Sequence, residues 1–225
     1  MRVSPEGIAA LVIHEGIVPA PYLDSVGVLT YGVGHTAAAG SPTPASMERG
    51  MPVDLDAALR DVFEVFEKDL EKYSAAVRRA VKVPMAKHEF DAAVSFHFNT
   101  GAIGRASWVK HWNAGNKPEA VKGIMSWKKP PEIIKRRKQE RDLFAYGTYP
   151  SGKATVWEVS KSGKVIWKAA RRLSMSDILN LMDKPTRPQF VDHAPGARDD
   201  KKTLGGGLAA LISAILNIFT RKGKK

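Results

Sequence analysis

Apolar positions that recur every three or four residues predict helices over much of this chain. The first helix should begin at Ser4-Pro5, since serine caps free N–H groups and proline suits the first helical position. It should end at Glu15, because Gly16 can adopt the conformation that closes a helix. Further helices are predicted over the stretches 54–80, 86–98, 105–114, 117–127 and 131–146.

Strand-forming residues punctuated by glycines separate the first two helices. They occupy residues 17–36 and predict a small hairpin or a three-stranded sheet, and the proline-containing stretch 37–53 predicts a loop. The expected fold class is α+β, with a small β lobe, a long connecting helix and a helical C-terminal lobe. An arrangement of two lobes leaves a cleft between them, where ligands tend to bind.

The pattern changes after residue 149, which we take as the end of a first domain over 1–149. Residues 150–183 form a small extension in which Thr155–Val159 and Lys164–Lys168 predict a β-hairpin, followed by a short helix over Ser176–Met182. Residues 184–203 are rich in proline and charged residues and predict a linker. Residues 204–225 predict an amphipathic helix with a basic end.

Charge is distributed unevenly along the chain. Residues 1–150 carry 20 Lys and Arg against 17 Asp and Glu, whereas residues 151–225 carry 15 against 6. A basic surface favours anionic partners such as lipid head groups, cell-wall polymers or nucleic acid. No motif of interleaved aromatic and basic residues supports nucleic acid, which we therefore do not expect as a partner. The absence of cysteine rules out disulfides and thiolate metal sites.

Two carboxylates, Glu15 and Asp24, lie nine residues apart, one at a helix end and one in the adjacent β segment. This placement can bring them to face each other across a gap. Glycoside hydrolysis needs such a pair, in which one carboxylic acid protonates the leaving oxygen and the other carboxylate activates water or attacks the sugar. The spacing by itself favours the simpler interpretation, in which Glu15 is a surface acid at a helix end and Asp24 is a turn residue.

A longer pattern contains these two carboxylates. Glu15 is followed nine positions on by Asp24, six further by Thr30, and then by Gly32-Val33-Gly34-His35. This pattern resembles the active-site signature of phage-type lysozymes, the family 24 glycoside hydrolases. Later blocks are similar to the family in the same order. They are Phe90–Gly101, Asn113-Ala114-Gly115, Trp127 and Arg136–Phe144, so the resemblance covers about residues 5–148.

The resemblance implies an endolysin that hydrolyses the β-1,4 bond between N-acetylmuramic acid and N-acetylglucosamine in peptidoglycan. It implies that Glu15 is the general acid, that Asp24 orients or activates water, and that Thr30 holds this water. The spacing leaves open whether the anomeric configuration is inverted or retained. Two alternatives are a lytic transglycosylase acting on the same bond, and a membrane-active antibacterial protein that works mainly through its C-terminal helix.

Four further residues are expected to support the site. Arg136 lies where the family pairs an arginine with the catalytic glutamate, an interaction that stabilises the charged form of the acid. His35 should pair with Asp69 and tie the β lobe to the long helix. Asn99 and Trp127 are expected to line the cleft. For Trp127, packing in the core is an equally good interpretation. No metal ion and no organic cofactor is implied, and we expect a monomer.

The first fifteen residues do not read as a secretory signal, because their apolar run is short and no small-residue cleavage site follows. The expected location is the cytoplasm of the host bacterium. An enzyme made there would reach the cell wall after release through a holin-type pore.

The C-terminal segment predicts an association with anionic membrane or envelope surfaces. Its apolar stretch is short for a membrane span but suits a helix lying in the interface with a basic end. Deletion of residues 204–225 should therefore reduce binding to anionic vesicles, measured by co-sedimentation. Unchanged binding would rule this role out, and docking on the domain or self-association would remain.

Overall fold

The computed structural model describes residues 1–184 and confirms the α+β class. A three-stranded antiparallel sheet in the order β1-β2-β3 is joined by a long helix to a group of shorter helices. A second, two-stranded sheet and a last helix follow them. The elements are α1 Pro5–Glu15, β1 Val18–Leu23, β2 Leu29–Gly32, β3 His35–Thr36, α2 Leu55–Ala80, α3 Lys87–Thr100, α4 Ser107–Asn113, α5 Lys117–Ile124, α6 Ile134–Tyr146, β4 Lys153–Val159, β5 Val165–Ser174 and α7 Met175–Met182.

The ends of α1 lie where the sequence predicts them. The hydroxyl of Ser4 accepts a hydrogen bond from the N–H of Gly7 at 3.0 Å, which caps the first turn. Gly16 closes the helix with φ +76°, a conformation that residues with a Cβ atom rarely adopt. The chain therefore leaves the helix directly after Glu15 and turns into β1.

The long helix α2 carries an apolar face that packs against both lobes. Asp54 caps it by accepting a hydrogen bond from the N–H of Ala57 at 2.9 Å. Its buried face belongs to a core shared with α1, α3, β2 and the shorter helices. The large apolar residues on this face are Leu59, Val62, Phe63, Phe66, Leu70 and Val77.

Strands β4 and β5 form the predicted hairpin, and both are longer than the alternation of apolar and polar residues indicated. The second strand runs to Ser174, which pairs with Lys153. The pairing register of β4 and β5 shifts on both sides of Trp157, which interrupts the alternation of apolar and polar side chains. The alternation in the sequence therefore predicts shorter strands than the backbone pairing forms. The expected loop over 37–53 contains two short 3₁₀ turns.

The hairpin is joined to the first sheet by backbone hydrogen bonds at both ends of β1. At one end, the N–H of Ile17 donates to Thr155 at 2.9 Å and the N–H of Trp157 donates to Ile17 at 2.8 Å. At the other end, the N–H of Leu23 donates to the carbonyl of Gly163 at 2.9 Å. The hairpin is thus anchored to both ends of β1, although it remains a separate two-stranded sheet.

Residues 153–182 share the core of the rest of the molecule. Apolar side chains from β4, β5 and α7 lie in the same buried cluster as those of α1 and α2. A smaller cluster joins Val159 to the β1 residues Val18, Ala20 and Tyr22. The division at residue 149 is therefore a boundary of sequence resemblance and does not separate two hydrophobic cores.

None of the helices within residues 1–184 combines the length and the apolar character that crossing a bilayer requires. The predicted linker and C-terminal helix lie outside the described residues, apart from Lys184, the first residue of the linker. Their roles stay predictions.

The shared core predicts that α7 contributes to global stability. Ile178 is fully buried, and Ile178→Ala should lower the free energy of unfolding by about 2–5 kcal/mol. Ile166→Ala is the matched control, because Ile166 is 44% exposed and its loss should cost less than about 1 kcal/mol. Chemical denaturation followed by circular dichroism measures both. A separate early transition in the Ile178 variant would show that 153–182 unfolds independently.

Candidate active site

Two of the three residues singled out by the sequence are buried, and all three surround one tyrosine. Glu15 ends α1 and is 3% exposed, and Thr30 lies on β2 and is 1% exposed. Thr30 stands opposite Tyr22 in the β1–β2 ladder. The pKa of Tyr22 is raised by burial and further by the negative charges of Asp24 and Glu15. The fold therefore brings the end of α1, the β1–β2 turn and β2 to one place.

Asp24 fixes its own turn and keeps one oxygen available. Its Oδ1 accepts hydrogen bonds from the N–H groups of Val26 at 2.9 Å and Val28 at 2.8 Å. Gly27 takes φ +82° in this turn, so a glycine is favoured at that position. The other carboxylate oxygen, Oδ2, is buried without a hydrogen-bond partner in the described structure. The carboxylate is thus oriented by the backbone while one face can receive a hydrogen bond.

Glu15 forms a buried ion pair with Arg136, as expected from the resemblance. Nη1 of Arg136 donates to Oε1 of Glu15, and its Nε donates to Oε1 of Glu140 at 2.9 Å. Burial opposes the charge of Arg136, but the two glutamates outweigh it and raise the pKa of this guanidinium. Arg136 therefore stays positively charged and is shared between two carboxylates.

A second arginine continues this network away from Glu15. Arg137 pairs with Oε2 of Glu140, and its Nη2 donates to the side-chain oxygen of Asn99 at 2.5 Å. Its Nε donates to the carbonyl of Trp127 at 3.0 Å. Asn99 is thereby engaged in holding Arg137. The ring of Trp127 packs edge-on against Phe96 and is partly buried.

His35 pairs with Asp69, which confirms the predicted tie between the small sheet and α2. Its Nδ1 lies 2.9 Å from Oδ2 of Asp69, and its Nε2 lies 2.8 Å from the carbonyl oxygen of Pro42. Burial disfavours the charged imidazole, but the hydrogen bond and charge of Asp69 outweigh it and raise the pKa of His35. Both ring nitrogens face acceptors, so the charged ring satisfies both.

Three buried polar atoms at this site lack a hydrogen-bond partner within the described part of the chain. They are the hydroxyl of Tyr22, Oδ2 of Asp24 and Nη2 of Arg136. Buried polar groups in folded proteins are normally satisfied, so three exceptions around Glu15 need an explanation. A polar substrate that offers donors and acceptors provides one. Among residues 1–184, no three His, Asp or Glu side chains lie together as metal ligands would.

The sequence did not single out Tyr22, Arg137 or Glu140 as parts of the site. Glu140 follows Arg136 by four residues, a spacing at which opposite charges meet on a helix, so this pair was available as a signal. From the sequence, Tyr22 was recognised only as a residue that favours β-strands. Its burial within the electrostatic reach of both carboxylates depends on the path of β1.

Comparison with known proteins places the chain among phage cell-wall enzymes. The family model described as phage lysozyme matches residues 12–140. The endolysin of Salmonella phage P22 is 32% identical over 150 residues, covering 64% of this chain and 98% of the phage protein. A crystal structure of a P22 lysozyme mutant is similar, with a TM-score of 0.56 and 30% identity, and covers 64% of this chain and 98% of that one.

A further solved structure extends the likeness beyond phage proteins. The muramidase domain of SpmX from Asticaccaulis excentricus is 25% identical, with a TM-score of 0.51, and covers 64% of this chain and 97% of that domain. Strands β4 and β5 and helix α7 lie beyond the residues that the family model matches.

The His35–Asp69 pair predicts a pH-dependent contribution to stability. Asp69→Asn should lower the free energy of unfolding by about 1–3 kcal/mol at acidic pH, since buried His35 would lose its carboxylate partner. Because the pKa of His35 is raised in the folded state, its protonation stabilises the fold. This contribution is fully present below the ordinary histidine pKa of 6.5, and it is lost as the pH rises through the raised pKa. The variant should therefore show a smaller loss of stability over that range in urea unfolding.

The matched control for this experiment is Glu64→Gln, which lies on the same helix in an exposed ion pair with Lys68. Exposed pairs contribute little, so its stability should change by less than about 1 kcal/mol at every pH. If the free energy of unfolding of Asp69→Asn depends on pH as that of wild type does, groups other than the His35–Asp69 pair cause the pH dependence.

Proposed function

This chain belongs to the phage lysozyme family and is a peptidoglycan-degrading enzyme, and we propose that it hydrolyses the β-1,4 bond between N-acetylmuramic acid and N-acetylglucosamine. The observation that carries this proposal is the buried Glu15 beside a backbone-oriented Asp24 with one unpartnered oxygen. Two carboxyl groups in these settings match the requirement of glycoside hydrolysis for one acid and one carboxylate. The likeness to a muramidase domain is consistent with this bond.

In the proposed mechanism, Glu15 is the general acid. Its proton moves to the glycosidic oxygen as the bond to the anomeric carbon breaks, and the departing sugar leaves as an alcohol. Its low exposure shields that proton from bulk water. Positive charge develops on the sugar ring in the transition state, and the negative charges around the site stabilise it.

Asp24 and Thr30 are proposed to position the water that completes the reaction. The free Oδ2 of Asp24 accepts one proton of this water while its oxygen bonds to the anomeric carbon. The hydroxyl of Thr30 donates to the carbonyl of Val28 at 3.1 Å, which leaves its oxygen lone pairs available to accept a hydrogen bond. This arrangement fits a hydroxyl that holds water beside Asp24.

Arg136 needs a separate account, because a cation beside Glu15 stabilises the charged form and opposes proton donation. The guanidinium is shared with Glu140, so the site does not present an isolated positive charge to Glu15. We propose that Arg136 orients Glu15, and that its unpartnered Nη2 contacts the substrate. Displacement of the ion pair by bound substrate would then free Glu15 to carry its proton.

The proposed setting is lysis of a host cell from within. The enzyme would act as a monomer on the cell wall after release through a holin-type pore. The basic C-terminal residues would bring it to an anionic envelope surface.

The test of the proposed mechanism is Glu15→Gln, which keeps the shape of the side chain but removes its acidic proton. Release of reducing sugar from purified peptidoglycan should fall by about 10²–10⁴-fold. Glu6→Gln is the matched control, because Glu6 lies on the same helix in an exposed ion pair with Lys87. The control should retain wild-type activity, and activity in both variants would reject Glu15 as the acid.

Mass spectrometry of the wild-type products separates hydrolysis from transglycosylation. Hydrolysis adds water and leaves a reducing end on N-acetylmuramic acid, whereas transglycosylation leaves a 1,6-anhydro end. We expect reducing ends, because a water-positioning carboxylate is needed only for hydrolysis. Products with anhydro ends would replace the proposed reaction by the alternative on the same bond.

A further inference from the structure

The β4–β5 hairpin carries two tryptophans that the proposed reaction does not use. The rings of Trp157 and Trp167 meet edge to face, with centroids 5.4 Å apart and planes at 74°. Trp167 is 43% exposed, although it is among the largest apolar side chains in the molecule. Exposed tryptophan in a folded domain is uncommon and often marks a binding surface.

This aromatic pair begins beside the catalytic centre. A Cβ atom on Gly16 would lie 3.1 Å from the indole nitrogen of Trp157, and Gly16 directly follows Glu15. Trp157 also packs on the small apolar cluster of β1 and β4. Trp157 and Trp167 therefore form an aromatic pair that leads from the residue after Glu15 to the surface of the hairpin.

The hairpin is also strongly basic. Residues 153–174 contain six Lys and Arg but one acidic residue, Glu158. Glu158 is paired with Lys168 at 2.8 Å, and Arg171 is paired with Asp56. The remaining positive side chains form no salt bridge within residues 1–184, and they are exposed. They are Lys153, Lys161, Lys164 and Arg172.

These features match the chemistry of a peptidoglycan glycan strand. The C–H faces of pyranose rings are apolar and pack on indole rings, while their hydroxyl and N-acetyl groups remain hydrated. The lactyl and peptide carboxylates of the polymer supply negative charge for the basic side chains. A glycan strand is also longer than the two sugars at the cleaved bond, so it extends past the catalytic centre.

We propose that the pair of Trp157 and Trp167, together with the basic side chains of the hairpin, forms an additional glycan-binding subsite, which holds the strand beside the cleaved bond. This inference rests on peptidoglycan as the substrate, but it does not require the proposed roles of Glu15 and Asp24. The chain's own last residues, Arg221–Lys225, are a less suitable occupant because they carry the same charge as the hairpin. The structure assigns the subsite to residues outside the region that the family model matches.

Binding of the full-length chain to purified peptidoglycan sacculi tests the subsite. The Glu15→Gln background prevents digestion, and Trp167→Ala in this background should weaken binding by about 5- to 20-fold in a sedimentation assay. Tyr146→Ala is the matched control, because Tyr146 is 76% exposed at the end of α6 and lies off the hairpin. The control should bind as the background protein does.

Kinetics on the otherwise wild-type enzyme supply a second readout. With intact sacculi, Trp167→Ala should raise KM by a similar factor and leave kcat within about twofold, since only strand binding is lost. With a soluble disaccharide that spans only the two sugars at the cleaved bond, the variant should match wild type.

Three outcomes would overturn the subsite. One is unchanged sacculus binding in Trp167→Ala while its melting temperature equals that of wild type. Another is an equal loss of activity on short and long substrates, which would indicate a structural effect on the catalytic centre. The third is loss of binding to anionic vesicles with retained binding to sacculi, which would make the hairpin a membrane surface. If Glu15→Gln digests the sacculi, the proposed acid is wrong, and the assay can be repeated at 4 °C with brief contact.

Discussion

The buried ion network of Glu15, Arg136, Glu140 and Arg137 is the interaction on which the candidate active site depends. It joins the last residue of α1 to α6, and through Ser95 and Asn99 it reaches α3. Two positive and two negative groups share the interior, so each charge has an opposite partner. Removing one partner would leave a buried charge uncompensated, which is far more costly than losing an exposed pair. The position of Glu15 is thereby set by three helices.

Strand β1 is the second constraint, since it connects Glu15 to Asp24. Backbone hydrogen bonds from the hairpin hold it at Ile17, two residues after Glu15, and at Leu23, immediately before Asp24. Its buried face rests on hairpin side chains in the smaller apolar cluster. The segment after residue 150 therefore supports the geometry of a site to which it contributes none of the three catalytic candidates.

The site combines rigid support with polar groups that remain available. The backbone orients Asp24, the two glutamates hold Arg136, and the His35–Asp69 pair fixes the sheet on α2. Unpartnered atoms nevertheless remain on Tyr22, Asp24 and Arg136. Such atoms reduce the stability of the free enzyme, and a substrate can satisfy them. Prepositioned polar groups of this kind favour catalysis because they do not have to reorganise during the reaction.

The sequence by itself determined the helices, the small sheet, the family and the three catalytic candidates. Caps at Ser4, Asp54 and Gly16 act locally, so the sequence shows where the helices begin and end. A motif with fixed spacing can be recognised in the sequence without knowledge of the fold. The pairing of His35 with Asp69 was also predicted from the sequence. Only the tertiary structure decided that Arg136 is shared between Glu15 and Glu140, that Tyr22 is buried, and that the hairpin packs against β1. The contacts of Arg136 with Glu15 and of the hairpin with the two ends of β1 join residues more than a hundred positions apart, so no local pattern encodes them.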